Sequence, residues 1–110
     1  MGDQIKTSGM NVMPREVELV IEEQPEVMHA FVAGVAHGER GQDVVAAVVL
    51  RPGMSVDPEE ILERLRGDLS SYKVPRHVAI YASPDDLPWL ESGKVDLRKL
   101  AGMLAERYVP

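Results

Sequence analysis

The sequence predicts an α+β domain: a small three-stranded mixed sheet with a β-hairpin, flanked by about three helices. Three observations predict it. Two β-branched apolar runs, residues 27–35 (VMHAFVAGV) and 44–50 (VVAAVVL), flank a stretch rich in glycine and charge. A third run, 77–82 (HVAIYA), follows a helical pattern, so a helix brings the chain back to the sheet. Three helix openings stand at Pro14, Asp57-Pro58 and Asp96. Adjacent apolar runs joined by a turn pair as a hairpin, and helices cover the faces of such a sheet.

In chain order, residues 3–7 (DQIKT) are short and mixed, and Ser8-Gly9 punctuates them. Pro14 suits the first turn of a helix, where its missing N–H costs nothing. Glu16 and Glu18 fall in the early part of that helix, favoured by its dipole. Val17, Val20 and Ile21 form its apolar stripe, and Pro25 stops it. Residues 36–43 (AHGERGQD) form a loose loop between the hairpin strands. The second strand is apolar on both parities, which marks it as central or covered on both faces. Asp57 caps the next helix, Pro58 takes its first position, and Glu60 stands where a capping box places a carboxylate. Ile61, Leu62, Leu65 and Leu69 share one face. Tyr72-Lys73-Val74-Pro75 ends that segment, and residues 83–93 form a loop. Asp96 caps a last helix with Leu97, Leu100 and Leu104 inward.

With 110 residues, 45% hydrophobic and 27% charged, the chain has the length for one core. It has no cysteine, which excludes a disulfide framework and a thiolate metal site. The net charge of −6 makes nucleic acid a poor partner. No apolar stretch reaches the length of a membrane span, and a cytoplasmic setting is expected. The charge is uneven: residues 1–70 carry 6 basic and 13 acidic side chains, residues 71–110 carry 6 and 5. The later cations fall in two runs, Lys73 to Arg76 and Lys94 to Lys99. Each is either a solvated surface or a place where an anion is met.

Little else carries chemistry. His29, His37 and His77 share no ligand spacing, so no metal site is expected. There is no G-x-S-x-G elbow, no phosphate-binding loop of the G-x-x-x-x-G-K-[ST] type and no G-x-G-x-x-G. Asp85-Asp86 reads as a solvated loop. Ser92-Gly93-Lys94 differs, because a small-Gly-Lys turn before a helix start can present an ammonium on an exposed tip to a carboxylate or phosphate.

Several segments then fall in register. They are residues 3–12 (DQIKTSGMNV) leading into 14–18 (PREVE), Gly34-Val35-Ala36-His37, Gly41-Gln42, residues 72–76 (YKVPR), Leu87-Pro88, Ser92-Gly93-Lys94-Val95 and Leu97-Arg98. In this order they resemble the C-terminal domain of the adenylate-forming (AMP-binding) superfamily, most closely the acyl-CoA and aryl-CoA synthetases. The resemblance covers the chain from Asp3. It implies that residues 3–110 are a mobile C-terminal domain, that residues 1–2 are a start, and that the partner is an N-terminal ATP- and acid-binding domain absent from this chain. It implies a two-step reaction in which a carboxylic acid and MgATP give an acyl-adenylate and pyrophosphate, and the acyl group then passes to CoA or a carrier-protein thiol. ATP, Mg2+ and CoA would thus serve the full-length enzyme, with none held tightly by this domain, and the domain alone would be inactive.

Residue by residue, Lys94 matches the family's adenylation lysine. Ser8, Gly9 and Lys6 match the loop that faces the incoming thiol. Lys73 and Arg76 have two readings, cations at a helix end or contacts to CoA phosphates. Gly2 falls at the family's hinge, usually Asp or Lys, which suggests a chain cut at the pivot. Three departures stand out. Leu90 replaces a hydroxyl before Ser92, Glu91 puts an anion beside the catalytic cation, and Gln42 stands where glutamate is common. A stand-alone binding or regulatory module is the other class of function compatible with this fold.

Overall fold

The computed structural model describes residues 4–108. Gly2, the residue expected at the hinge, lies outside them. Among the described residues the sheet has five strands, not three: β1 Ile5–Thr7, β2 Met10–Val12, β3 Val27–His37, β4 Gly41–Leu50 and β5 His77–Tyr81. The α-helices among them are α1 Pro14–Glu22, α2 Pro58–Arg66 and α3 Leu97–Arg107. The α+β class and the mixed sheet are as expected: β3 and β4 run antiparallel, and β5 lies parallel to β4.

The two extra strands come from the segment read as merely short and mixed. Each has three residues, too few for an alternating pattern to show. Their pairing is set by the turn. Ser8 (φ 50) and Gly9 (φ 82) both hold positive φ, and Thr7 pairs with Met10 across them. Two central residues at positive φ make the type I′ turn, whose twist matches paired strands. The hairpin joins the edge of β4 through Thr7 and Gly41.

The β3–β4 loop is also tighter than its composition suggests, because pairing runs out to His37 and Gly41. The three residues between them are Gly38, Glu39 and Arg40. His37 Nδ1 accepts the backbone N–H groups of Glu39 and Arg40 at 3.2 Å each, supplying partners the turn would otherwise lack.

β4 is the central strand, buried from Asp43 to Leu50. Its alternation sorts the core into two layers. Val44, Ala46, Val48 and Leu50 meet Val17 and Ile21 of α1 and Ile61, Leu62 and Leu65 of α2. Val45, Ala47 and Val49 meet Leu100 and Leu104 of α3 together with Leu87 and Val95. Asp57 and Asp96 cap α2 and α3 as expected, accepting from Glu59 N at 2.9 Å and Lys99 N at 3.1 Å. Glu60 makes no capping box; its carboxylate pairs with Arg64 at 3.2 Å. Leu97, expected inward, is 40% exposed, since it opens α3 at the rim of the layer.

One device was invisible in the sequence. β3 is an outer strand of the sheet, and α1 packs over its face. Glu18 Oε2 accepts Val32 N–H at 2.9 Å, and Glu22 Oε2 accepts Ala30 N–H at 3.1 Å. Carboxylates one helical turn apart thus satisfy alternate N–H groups of an edge that would otherwise stay open for pairing. Glu18 is buried, and burial pushes its carboxyl above the ordinary value of 4.5, against the opposing pull of Val32 N–H and Arg15.

Candidate functional site

Lys94 stands at the base of a tight hairpin. Gly93 N–H donates to Leu90 O at 3.0 Å, and Leu90 N–H donates to Lys94 O at 2.8 Å. Gly93 holds φ +89. A turn followed by a left-handed glycine is the three-residue hairpin with a bulge, and it fixes where the next side chain leaves the backbone. Trp89 and Val95 extend the pairing by one bridge, and Asp96 N–H donates to Pro88 O at 2.8 Å. The arms are anchored below by buried Leu87 and Val95. Trp89 serves as a strut: its Nε1 donates to Pro84 O at 2.7 Å, and its ring meets Phe31 edge-on at 6.0 Å. Residues 91–94 are all exposed, and among the described residues Lys94 makes no ion pair. Glu91, the neighbouring anion, does not neutralise it.

Ser8 and Gly9 form the second exposed loop. Ser8 N–H donates to Arg40 O at 2.8 Å, tying the loop to the β3–β4 turn. Ser8 lines two clefts. One, of about 410 Å³, also has Lys6, Gly9 and Gln42 at its walls. The other, of about 490 Å³, brings Ser8 together with Arg76, Tyr72, Arg40 and Arg66. Residues 87–98, which carry Lys94, line neither.

The two cations with two readings, Lys73 and Arg76, part company. Arg76 is exposed and lines the larger cleft, and its N–H donates to Val44 O at 2.7 Å, which fixes its backbone to the central strand. Lys73 does not line that cleft. Its Nζ donates to Glu16 Oε1 at 2.6 Å, and this bond raises its pKa. Lys73 thus ties the 3₁₀ turn at Ser71–Lys73 to α1.

Sequence reasoning missed Arg40 and Arg66. Arg40 belongs to a loop read only as charged, and Arg66 to the last turn of α2. The fold carries both to Arg76 over sequence separations that no local pattern spans. Arg40 is braced by Asp43 at 2.7 Å, a bond that holds the Asp43 carboxyl below its usual range. The histidines form no centre: His77 stacks on Tyr108 with ring centroids 4.2 Å apart, and His37 serves its own turn. Among the described residues no three His, Asp or Glu side chains form a group that could hold a metal ion. Nor is any described helix long and apolar enough to cross a membrane.

Comparison with known proteins gives a consistent picture. Residues 16–94 match the AMP-binding enzyme C-terminal domain. The chain is 39% identical over 98 residues to the long-chain-fatty-acid–CoA ligase of Bacillus subtilis, covering 89% of this chain and 17% of that protein. It is 44% identical over 103 residues to 4-hydroxybutyrate–CoA ligase 1 of Metallosphaera sedula, covering 88% and 18%. The chain thus spans under a fifth of the length of these relatives. Among solved structures it superposes on ATP-bound MatB from Rhodopseudomonas palustris with a TM-score of 0.87 and 35% identity, covering 96% of this chain and 20% of that one. It also superposes on the amide bond synthetase McbA of Marinactinospora thermotolerans with a TM-score of 0.83 and 37% identity, covering 92% and 20%.

Proposed function

The chain belongs to the AMP-binding enzyme C-terminal domain family, and from that premise we propose that it is the C-terminal domain of a carboxylic acid–CoA ligase. That enzyme adenylates an acid with ATP and passes the acyl group to CoA. The observation that carries this reading is the unpaired Lys94 on a hairpin locked by two backbone hydrogen bonds and a left-handed glycine. A cation presented this way suits the carboxylate and α-phosphate, where negative charge crowds as oxygen attacks phosphorus.

The Ser8–Gly9 loop is the thiol-facing side. Gly9 has no side chain, and a Cβ there would meet nothing within 4 Å, so an extended thiol arm can run close to its backbone. In the adjoining cleft Arg76, which makes no ion pair among the described residues, is the cation offered to a CoA phosphate; Arg40 and Arg66 share its wall but are engaged by Asp43 and Glu63, and Glu59 lines it too. Lys73 acts there indirectly, by holding the segment that carries Arg76. ATP and Mg2+ are assigned to an N-terminal domain outside this chain, and the isolated chain is expected to be inactive.

The test separates the half-reactions of the full-length enzyme. Lys94→Ala is expected to lower acid-dependent pyrophosphate release by at least about a hundredfold. Thioester formation from supplied acyl-adenylate should stay near the unmodified rate. Equal loss in both steps would sink the assignment. The likeness to an amide bond synthetase favours one second reading, an amine acceptor in place of CoA. Product formed from acid, ATP and amine without CoA would select it.

A further inference from the structure

We propose that Gln42 is a positioning residue for the thiol-facing loop, acting through Lys6; the inference rests on the ligase reading above. β1 is held to β4 by a very short ladder. Thr7 faces Gly41, and Ser8 N–H donates to the backbone carbonyl of Arg40 at 2.8 Å. In that register Lys6 faces Gln42, and a continued ladder would send Lys6 N–H to the Gln42 backbone carbonyl. The bond goes instead to the Gln42 side chain, with Lys6 N–H donating to Oε1 at 2.9 Å. A side-chain amide thus supplies the acceptor for Lys6 N–H where the ladder ends.

The fold makes room for that amide at one place. Gly34 lies on the neighbouring strand β3, where Val44 is its partner. A Cβ built on Gly34 would fall 2.6 Å from Gln42 Nε2 and 3.0 Å from its Cδ. The amide therefore sits in a notch that only glycine leaves open. Gly34 has no positive φ, so its lack of a side chain, not its backbone freedom, is what the site uses. Gln42 also lines the cleft shared by Lys6, Ser8 and Gly9. The Lys6–Gln42 bond is exposed, so it contributes little to global stability. Its effect is on where the Ser8–Gly9 turn stands relative to the rest of the sheet.

The experiment uses the full-length enzyme with Gln42→Leu, Gln42→Glu, Gly34→Ala and the Gly34→Ala/Gln42→Leu double variant. Gln42→Leu should lower kcat/KM for CoA about fivefold, the worth of one hydrogen bond, and leave acid-dependent pyrophosphate release unchanged. Gln42→Glu keeps an acceptor oxygen for Lys6 N–H and should restore the CoA step to within about twofold. Gly34→Ala should reproduce Gln42→Leu by expelling the amide, and the double variant should be no worse than either single one. In hydrogen exchange the Lys6 amide should lose protection in Gln42→Leu and keep it in Gln42→Glu. Unchanged Lys6 protection in Gln42→Leu would overturn the inference. So would a CoA step that is unaffected, or one that falls together with adenylation. A wild-type enzyme that forms adenylate but no CoA ester refutes the acceptor reading itself, and the inference falls with it.

Discussion

Gly93→Ala separates the geometry of the Lys94 hairpin from its charge. Gly93 holds φ +89, and a Cβ there would meet nothing within 4 Å, so the substitution adds no clash. What it adds is the cost of an alanine in a left-handed conformation, about 1–2 kcal/mol. The loop has an alternative. It can relax the turn and give up the two backbone bonds at Leu90, each worth about 0.5–1.5 kcal/mol in an exposed setting. The two routes cost about the same, so the variant should populate the relaxed turn substantially. Global stability should fall by no more than about 1–2 kcal/mol, because the anchors Leu87 and Val95 stay buried. A denaturant titration of the chain reads that number. Adenylation by the full-length enzyme should fall about tenfold as Lys94 loses its fixed direction, with transfer from supplied acyl-adenylate unchanged. Gly93→Asn, which tolerates positive φ, should recover most of the rate. Full activity in Gly93→Ala, or no recovery in Gly93→Asn, would refute the claim that the bulge sets the lysine.

Three further variants, at two positions, probe the remaining structure. Glu18 is favoured in its protonated form by burial, so its contribution to stability is full below the ordinary carboxyl value of 4.5 and is lost as pH rises through its raised folded value. Glu18→Gln should therefore match or exceed the wild type in urea titrations at pH 7 and lose that advantage near pH 4, whereas Glu18→Leu, which strands Val32 N–H, should cost about 1–3 kcal/mol. Arg76→Ala should raise KM for CoA about tenfold without changing adenylation, and the defect should shrink with dephospho-CoA if the guanidinium meets the 3′-phosphate.

The parts of this fold legible in the sequence are those whose cause is local. β4 is apolar on both parities because two layers of helix meet it, and that is written in seven consecutive residues. Asp57 and Asp96 announce their helices because a cap reaches only two or three residues ahead. Ser92-Gly93-Lys94 reads as a presented cation for the same reason. What stayed hidden depends on partners far along the chain. Glu18 looks like a dipole-favoured surface acid, and its buried bond to Val32 exists only once α1 lies along β3. Gln42 needs Gly34 on one strand and Lys6 on another. Arg40, Arg66 and Arg76 come from a turn, a helix end and the residue before a strand. Leu97 failed for a narrower reason: helical spacing assigns it a face, but at the first position of α3 that face is still outside the layer.

The placement of the two functional loops constrains how one domain can serve two chemical steps. The Ser8–Gly9 hairpin is rooted through Ile5 and Val12 in the layer under α1 and α2. The Lys94 hairpin is rooted through Leu87 and Val95 in the layer under α3. The central strand β4 runs between these layers with no exposed residue from Asp43 to Leu50. Bringing both loops to one side by internal rearrangement would mean opening a close-packed core, which far exceeds what binding a substrate supplies. Under the ligase reading, the domain therefore keeps its shape and changes its orientation. On that reading Lys94 would face the reacting centre for adenylation, and Ser8-Gly9 would face it for thiol transfer. Each hairpin can then be as rigid as its chemistry requires, because neither has to move relative to the sheet. Both loops fit that requirement, being tight turns with left-handed residues at Ser8, Gly9 and Gly93.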